Sequence, residues 1–126
     1  MFELKILTHF AAAHQLQMVA KKCENLHGHN WKVEVCVAGE RLNEAGVLID
    51  FGELKVHVRE IIDTLDHKFL NELGLFNDAP SSENIAVHIA ETLAEKLSGT
   101  QVRVRRVTTW ESEDACATYY PTSPAV

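Results

Sequence analysis

Four stretches of the chain alternate between apolar and polar residues with the period of a β-strand. Residues 2–10 place Phe, Leu, Ile and Phe on one face, and residues 30–38 repeat the pattern with Trp and three Val. Strand character returns over residues 101–111, and a short last strand is predicted around 115–120. The alternation changes phase at residues 105–106, which predicts a β-bulge there.

Two segments between these strands repeat apolar residues with the period of a helix. Asp50 and Glu53 have the spacing of a capping box, and the apolar stripe that follows them ends at Leu65. Residues 80–82 (Pro-Ser-Ser) announce a second helix, which Gly99 closes. The order ββααββ predicts an α+β fold, an antiparallel sheet of four strands with two helices on one face.

Length and composition narrow the class of protein. The 126 residues fit one domain, expected over 1–121, with a frayed tail at 122–126. Without an apolar run of roughly 18 residues or a signal-peptide pattern, we expect a cytoplasmic protein that does not enter a membrane. The net charge of −6 argues against nucleic-acid binding, and three cysteines without a CxxC pair argue against a disulfide framework.

Three of the seven histidines lie between the first two strands, in an irregular segment predicted for residues 11–29. His27 and His29 flank Gly28, and residues two apart in an extended chain point to the same side. His14 follows the first strand, so the segment can bring it alongside them. Three imidazoles without a fourth protein ligand are typical of catalytic zinc, although HxH also occurs by chance. Spacing alone leaves both interpretations open.

Three further sites have a chemical and a structural interpretation each. Cys23 lies beside two lysines, which favours a reactive thiolate, but most lone cysteines are small buried hydrophobes. Asp66 and His67 end the first predicted helix, where a proton-transfer pair or a histidine suited to the helix dipole would fit. Adjacent side chains seldom hydrogen-bond, which favours the dipole. Glu111 could grip a 2-aminopyrimidinone ring or be an exposed acid.

Six motifs in order along almost the whole chain resemble the 6-pyruvoyltetrahydropterin synthase / 6-carboxytetrahydropterin synthase family. Any one of them is weak, but together they are specific. The motifs are FAAAHQL (10–16), CENLHGH (23–29), GVLIDFGELK (46–55), LDHKFLN (65–71), PSSEN (80–84) and WES (110–112).

The resemblance implies a role for each candidate residue. His14, His27 and His29 match the family's zinc ligands, Cys23 its catalytic cysteine, and Asp66 with His67 its proton-transfer pair. Glu111 matches the carboxylate that anchors the pterin, and Ser82 and Glu83 fall where further ring contacts are expected. The resemblance also implies the T-fold, homo-oligomers built from trimers and often hexamers, and active sites between subunits.

Two functions of this family remain open at this stage. The spacing CxxxHGH resembles the 6-carboxy type, which converts 7,8-dihydroneopterin triphosphate to 6-carboxy-5,6,7,8-tetrahydropterin in queuosine and other deazapurine biosynthesis and releases acetaldehyde and triphosphate. The alternatives are the pyruvoyl type, a zinc-assisted hydrolase and a non-catalytic zinc- and pterin-binding relative. Candidates for holding the triphosphate are Lys21, Lys22 and the arginines at 103–106.

Overall fold

The computed structural model describes residues 1–16 and 26–122, which form a five-stranded sheet and two helices. In chain order the elements are β1 (Phe2–His14), β2 (His27–Gly39), α1 (Phe51–Asp63), β3 (Lys68–Phe69), a 3-10 turn (Leu70–Leu73), α2 (Ser82–Lys96), β4 (Arg103–Ser112) and β5 (Ala115–Tyr119). The strands lie in the order β3-β1-β2-β4-β5, and every pairing is antiparallel except the parallel pairing of β3 with β1. The predicted α+β class is confirmed, and β3 is an addition to it.

The pairing of β1 with β2 is longer than the sequence predicts. β1 continues through His14, and β2 begins at His27. The prediction of irregular structure over 11–29 is therefore wrong at both ends, and His14 lies in the strand rather than after it. Alanine favours strands only weakly, so the run Ala11–Ala13 gave no strand signal. Its ladder with residues 28–30 of β2 holds it extended.

One face of the sheet is buried under the helices, as the alternation predicts. Even-numbered residues of β1 and odd-numbered residues of β2 point into the core, and the apolar stripe of α1 meets them there. Burying each such large aliphatic side chain contributes about 1.5–3 kcal/mol. The largest of the fully buried side chains include Trp31, Leu54, Ile61, Leu65, Ile85, Ile89 and Leu93.

Both helices begin with the caps that the sequence predicts. The Asp50 carboxylate accepts a hydrogen bond from the backbone N–H of Glu53 at 3.1 Å. The Ser81 hydroxyl accepts one from the N–H of Asn84, also at 3.1 Å. Such caps contribute about 1 kcal/mol each. The second cap fixes where α2 begins, directly after Pro80.

A β-bulge in β4 confirms the predicted change of phase. Cys36 of β2 pairs with Arg106 and the next residue, Val37, pairs with Val104, so Arg105 is an extra residue in β4. The extra residue rotates the rest of the strand by one position. Residues 107, 109 and 111 consequently face the same side of the sheet as residues 102 and 104.

The segment after α1 departs from the prediction. The helix ends at Asp63, so Asp66 and His67 do not end it but lie in the turn beyond it. His67 has a φ of 60°, in the left-handed region that few non-glycine residues adopt. The backbone then pairs with Ala12 and Ala13 of β1 as the short strand β3.

Three predictions fall on parts of the chain that the structure does not describe. Cys23, Lys21 and Lys22 lie outside the described residues, and so does the tail from residue 123 onward. Among the residues described, no helix has both the length and the apolar character needed to cross a membrane.

Candidate metal centre

Four side chains that can ligate a metal meet at one end of the helix-covered face: His14, His27, His29 and Glu111. His14 and His27 are cross-strand partners at the ends of β1 and β2, and His29 is the next residue of β2 on that face. Glu111 comes from β4, one residue after Trp110, which pairs with Lys32. The register of the central three strands thus builds the cluster.

The ligand atoms are spaced as the edges of a metal coordination shell. Nε2 of His14 lies 3.0 Å from Nε2 of His27. Oε1 of Glu111 lies 2.9 Å from Nε2 of His29, 3.1 Å from that of His14 and 3.8 Å from that of His27. Two ligands about 2.05 Å from a tetrahedral zinc ion would be separated by about 3.3 Å. The four atoms all lie within 4.8 Å of one another.

The buried ring of His14 shows why the cluster suits a cation. Its Nδ1 lies 2.8 Å from the carbonyl oxygen of Pro80, which can only accept a hydrogen bond, so Nδ1 carries the proton. In the neutral ring Nε2 then presents a lone pair, yet it faces another imidazole nitrogen and a carboxylate oxygen. Lone pairs that converge in this way repel one another unless a proton or a metal ion lies between them.

His29 gives a second observation that fits a cation. Its Nε2 is buried and has no well-aligned hydrogen bond, although Oε1 of Glu111 lies 2.9 Å away. Burial lowers the pKa of His29, and the neighbouring His27 and His14 lower it further, against the opposing effect of Glu111. The neutral imidazole that results is the form that binds metals. The donor set and its buried, unpaired nitrogen therefore fit a metal ion.

Glu111 is the member of the cluster that sequence reasoning did not place there. It was predicted to contact a pterin, and the histidines were predicted to have no fourth protein ligand. In the structure every contact of its carboxylate with the described residues runs through Oε1, towards the imidazoles. The signal that could have found it is the β4 bulge, which sets the face that Glu111 occupies.

Asp66 and His67 form a hydrogen-bonded pair beside the cluster. Asp66 Oδ2 lies 3.0 Å from His67 Nδ1, so the expectation that adjacent side chains would not meet is wrong here. The positive φ of His67 turns the ring back towards its neighbour. Asp66 Oδ1 accepts a hydrogen bond from the Ala11 N–H at 2.9 Å. That bond is the main cause of the lowered pKa of Asp66. Desolvation opposes it, and the pairing with His67 lowers the pKa further.

A groove lies between the Asp66–His67 pair and the four-residue cluster. Its volume is about 520 Å³, and both His29 and His67 line it. The His67 side chain is 81% exposed, and because Nδ1 donates to the Asp66 carboxylate, Nε2 is the ring atom left to exchange protons. A small molecule in this groove would contact both groups.

The remaining predicted residues lie at varied distances from the cluster. Ser82 and Glu83 form the first turn of α2, where the Ser82 carbonyl accepts a hydrogen bond from Thr109 Oγ1 at 2.7 Å. The arginines at 103–106 lie at the opposite end of the sheet. Arg106 pairs with Cys36, seven residues from His29, which is about 23 Å at 3.3 Å per residue. Within one chain they are too far away to serve this groove.

A sheet with this strand order and two helices on one face has the T-fold architecture that the resemblance predicts. The structure is similar to that of Caenorhabditis elegans 6-pyruvoyl tetrahydropterin synthase, with a TM-score of 0.83, 26% identity and coverage of 96% of each chain. The family model for 6-pyruvoyl tetrahydropterin synthase matches residues 3–122. The chain belongs to this family, and the predicted family and fold are confirmed.

Individual relatives divide between two names. An Archaeoglobus fulgidus protein, provisionally named 6-carboxy-5,6,7,8-tetrahydropterin synthase, is 44% identical over 112 residues, which is 89% of this chain and 90% of the relative. A Synechocystis protein with that name is 44% identical over 92 residues, 68% and 70% of the two chains. Pyrococcus furiosus dihydroneopterin monophosphate aldolase is 37% identical over 105 residues, 83% and 85% of the two chains.

Proposed function

We propose that this protein is a zinc-dependent 6-carboxy-5,6,7,8-tetrahydropterin synthase. It converts 7,8-dihydroneopterin triphosphate and one water to 6-carboxy-5,6,7,8-tetrahydropterin, acetaldehyde and triphosphate. The observation that supports it best is the groove lined both by His29 of the metal-ligand cluster and by His67 of the carboxylate–histidine pair. The more similar named relatives and the CxxxHGH spacing favour the 6-carboxy product over the 6-pyruvoyl one.

Zinc is the metal that this donor set favours. Neutral imidazoles with a carboxylate beside them are donors that zinc accepts. His14, His27 and His29 would hold it. When bound, it would supply a Lewis acid that polarises the hydroxyl groups of the substrate side chain and makes the adjoining carbon–hydrogen bonds more acidic.

The chain's own groups move the protons. Nε2 of His67 takes up or returns a proton on the side of the groove where β3 lies, and the Asp66 carboxylate holds the ring in the tautomer that leaves this atom free. Cys23, which the structure does not describe, is proposed to serve the opposite face as a thiolate. A general base of this kind is worth about 10²–10⁴ in rate.

Glu111 has two possible roles in this scheme. One oxygen faces the imidazoles, and the other would be available to the ring N–H and amino group of the pterin, with Ser82 and Glu83 as neighbours of the ring. Its position favours a part in metal binding, and its family match favours pterin recognition. The Glu111→Gln variant described below separates the two.

The Pyrococcus relative supports a second candidate, aldol cleavage of dihydroneopterin monophosphate. That reaction also breaks the side chain between its first two carbons. It would release 6-hydroxymethyl-7,8-dihydropterin and glycolaldehyde phosphate, and it needs a metal or base at the same hydroxyls. The groove could serve either reaction, because both place a hydroxylated side chain against the metal.

Product analysis decides among these candidates. The zinc-loaded protein is incubated separately with dihydroneopterin triphosphate and with the monophosphate, and aldehydes, triphosphate and pterins are measured. Acetaldehyde with triphosphate supports the proposal, whereas triphosphate without any aldehyde indicates the 6-pyruvoyl reaction. Glycolaldehyde phosphate from the monophosphate indicates the aldolase, and no turnover of either substrate indicates a binding protein.

We further propose that the chain works in the cytoplasm as one domain, residues 1–121, within a homo-oligomer of trimers, and supplies queuosine or related deazapurine synthesis. The sheet order supports the oligomer, because among the residues described β3 pairs with only Ala12 and Ala13 and leaves most of β1 an open edge. β5 forms the other edge. Open edges of neighbouring copies would satisfy each other's backbone groups in a closed ring.

A further inference from the structure

The segment that contains the proton-transfer pair runs alongside the end of β1 and contacts it at successive positions. The His67 N–H donates to the carbonyl of Ala11 at 2.6 Å. Lys68 and Phe69 pair with Ala12 and Ala13. The segment is therefore in parallel register with the part of β1 that leads to the metal ligand His14.

Asn71 continues this register with its side chain. Its Oδ1 accepts a hydrogen bond from the N–H of Gln15 at 2.9 Å, and its Nδ2 donates to the carbonyl of Gln15 at 2.8 Å. A side-chain amide here satisfies both backbone groups of one residue, as a paired strand would. Gln15 follows His14 directly, so the contact lies next to the metal cluster.

His67 depends on this segment for its position. Its side chain is 81% exposed, so little packing holds it, and its left-handed backbone is strained. β3 is only two residues long. Without the contact at Gln15, the two ladder residues, one hydrogen bond to Ala11 from each of Asp66 and His67, and the buried side chains of Leu65 and Leu70 would be left to hold the strained turn.

We propose that Asn71 is a positioning residue for the reaction, whose double hydrogen bond to Gln15 fixes His67 relative to the metal ligands. It acts through His67 and touches neither the metal nor the substrate. This inference rests on the proposed function only in its kinetic test, because that test measures turnover. A displacement of about 1 Å in a reacting group can cost about 100-fold in rate.

The test compares Asn71→Ala and Asn71→Asp with Asn43→Ala in the zinc-loaded protein. Asn43 is a matched control, because its side chain also makes two hydrogen bonds to backbone groups, here both accepted by Oδ1, at 2.9 and 3.3 Å, in an exposed turn at the other end of the sheet. We expect Asn71→Ala to lower kcat about 10- to 100-fold. KM and zinc content should stay unchanged, and Asn43→Ala should keep the wild-type kcat.

The Asp variant isolates the donating half of the contact. A carboxylate at residue 71 can still accept from the Gln15 N–H, but it opposes the Gln15 carbonyl with a second acceptor. Its kcat should fall at least as far as that of Asn71→Ala. A wild-type kcat in either Asn71 variant would overturn the proposal, and so would a loss that merely follows zinc content or matches that of Asn43→Ala.

A readout that needs no substrate keeps this test separate from the proposed function. Imidazole ¹⁵N shifts of His67, assigned with a His67→Gln variant, should show one tautomer with the proton on Nδ1 in the wild type. In Asn71→Ala they should show a mixture of tautomers. If the wild type makes no acetaldehyde, the proposed function fails, and the ¹⁵N spectra still test Asn71. Identical His67 shifts in both proteins would overturn the positioning role.

Discussion

The replacement Asp66→Asn tests the proton-transfer pair by exchanging one carboxylate oxygen for an NH₂ group. In the wild type the two carboxylate oxygens accept two hydrogen bonds, one from the Ala11 N–H at 2.9 Å and one from His67 Nδ1 at 3.0 Å. Asparagine has only one acceptor oxygen. If that oxygen keeps the Ala11 bond, its NH₂ group faces His67 Nδ1, which must then accept. The ring proton moves to Nε2, the atom that should take a proton from the substrate.

The expected loss follows from this inverted tautomer. A general base contributes about 10²–10⁴ in rate, and the equivalent Asp-to-Asn change in a serine protease lowers kcat by about 10⁴ through the wrong tautomer. We therefore expect kcat of Asp66→Asn to fall by about 10²–10⁴. KM should change little, because the pair is not required to bind the substrate in this scheme.

Acetaldehyde release, coupled to an NADH-dependent alcohol dehydrogenase, provides the assay, with zinc content measured on the same samples. Glu60→Gln is the control, because it also removes a paired carboxylate, here one 2.7 Å from Lys96, which does not line the groove.

A lowered pKa means that Asp66 stabilises the fold above its unfolded pKa and loses this effect as the pH falls through its folded pKa. The Tm difference between wild type and Asp66→Asn should shrink over that acidic range. A variant with kcat within about threefold of wild type would refute the mechanism.

Four further predictions follow from the site and the fold. The protein should contain one zinc per chain, and His29→Ala should lose it. His9→Ala, which alters a histidine outside the cluster, should retain it. Equal zinc contents in the two variants would contradict the ligand assignment. Cys23→Ala should abolish turnover and retain zinc. Cys23 should also be alkylated faster than buried Cys36, because burial and Glu3 raise the pKa of the Cys36 thiol. Equal alkylation rates or an active variant would argue against a catalytic thiolate. Glu111→Gln should weaken binding of an unreactive pterin by about 1–3 kcal/mol if the residue anchors the ring; a loss of zinc with unchanged pterin affinity would assign it to the metal instead. Light scattering at micromolar concentration should give the mass of a trimer or a multiple of it, and a monomeric mass would exclude edge pairing between copies.

Local patterns were enough to predict the two helices, the four longer strands and their buried faces. Alternation gave the faces of β1 and β2, and the helix caps at Asp50 and Ser81 followed from residue type and spacing. These features depend on residues within a few positions of each other, which one sequence reveals directly. The histidine pair of β2 was found for the same reason, since two residues of one strand share a face.

Features that depend on distant pairings could not be derived in this way. Ala11–Ala13 became strand because β2 and β3 pair with it, and alanine itself gave no signal. The contact of Glu111 with the histidines requires both the β2–β4 register and the bulge at Arg105. His67 met Asp66 because a left-handed turn bends the chain, and no local pattern predicts such a turn at histidine.

The hydrogen bond between His14 and the Pro80 carbonyl links metal binding to folding. It joins a proposed metal ligand to the residue before the cap of α2, so a bound ion and the start of that helix would each favour the other's native position. A ligand that binds only the folded state adds about 4.1 kcal/mol to stability at a free concentration of a thousand times Kd. Part of that free energy should therefore appear as slower amide exchange in the first turns of α2, although no residue of that helix ligates the metal.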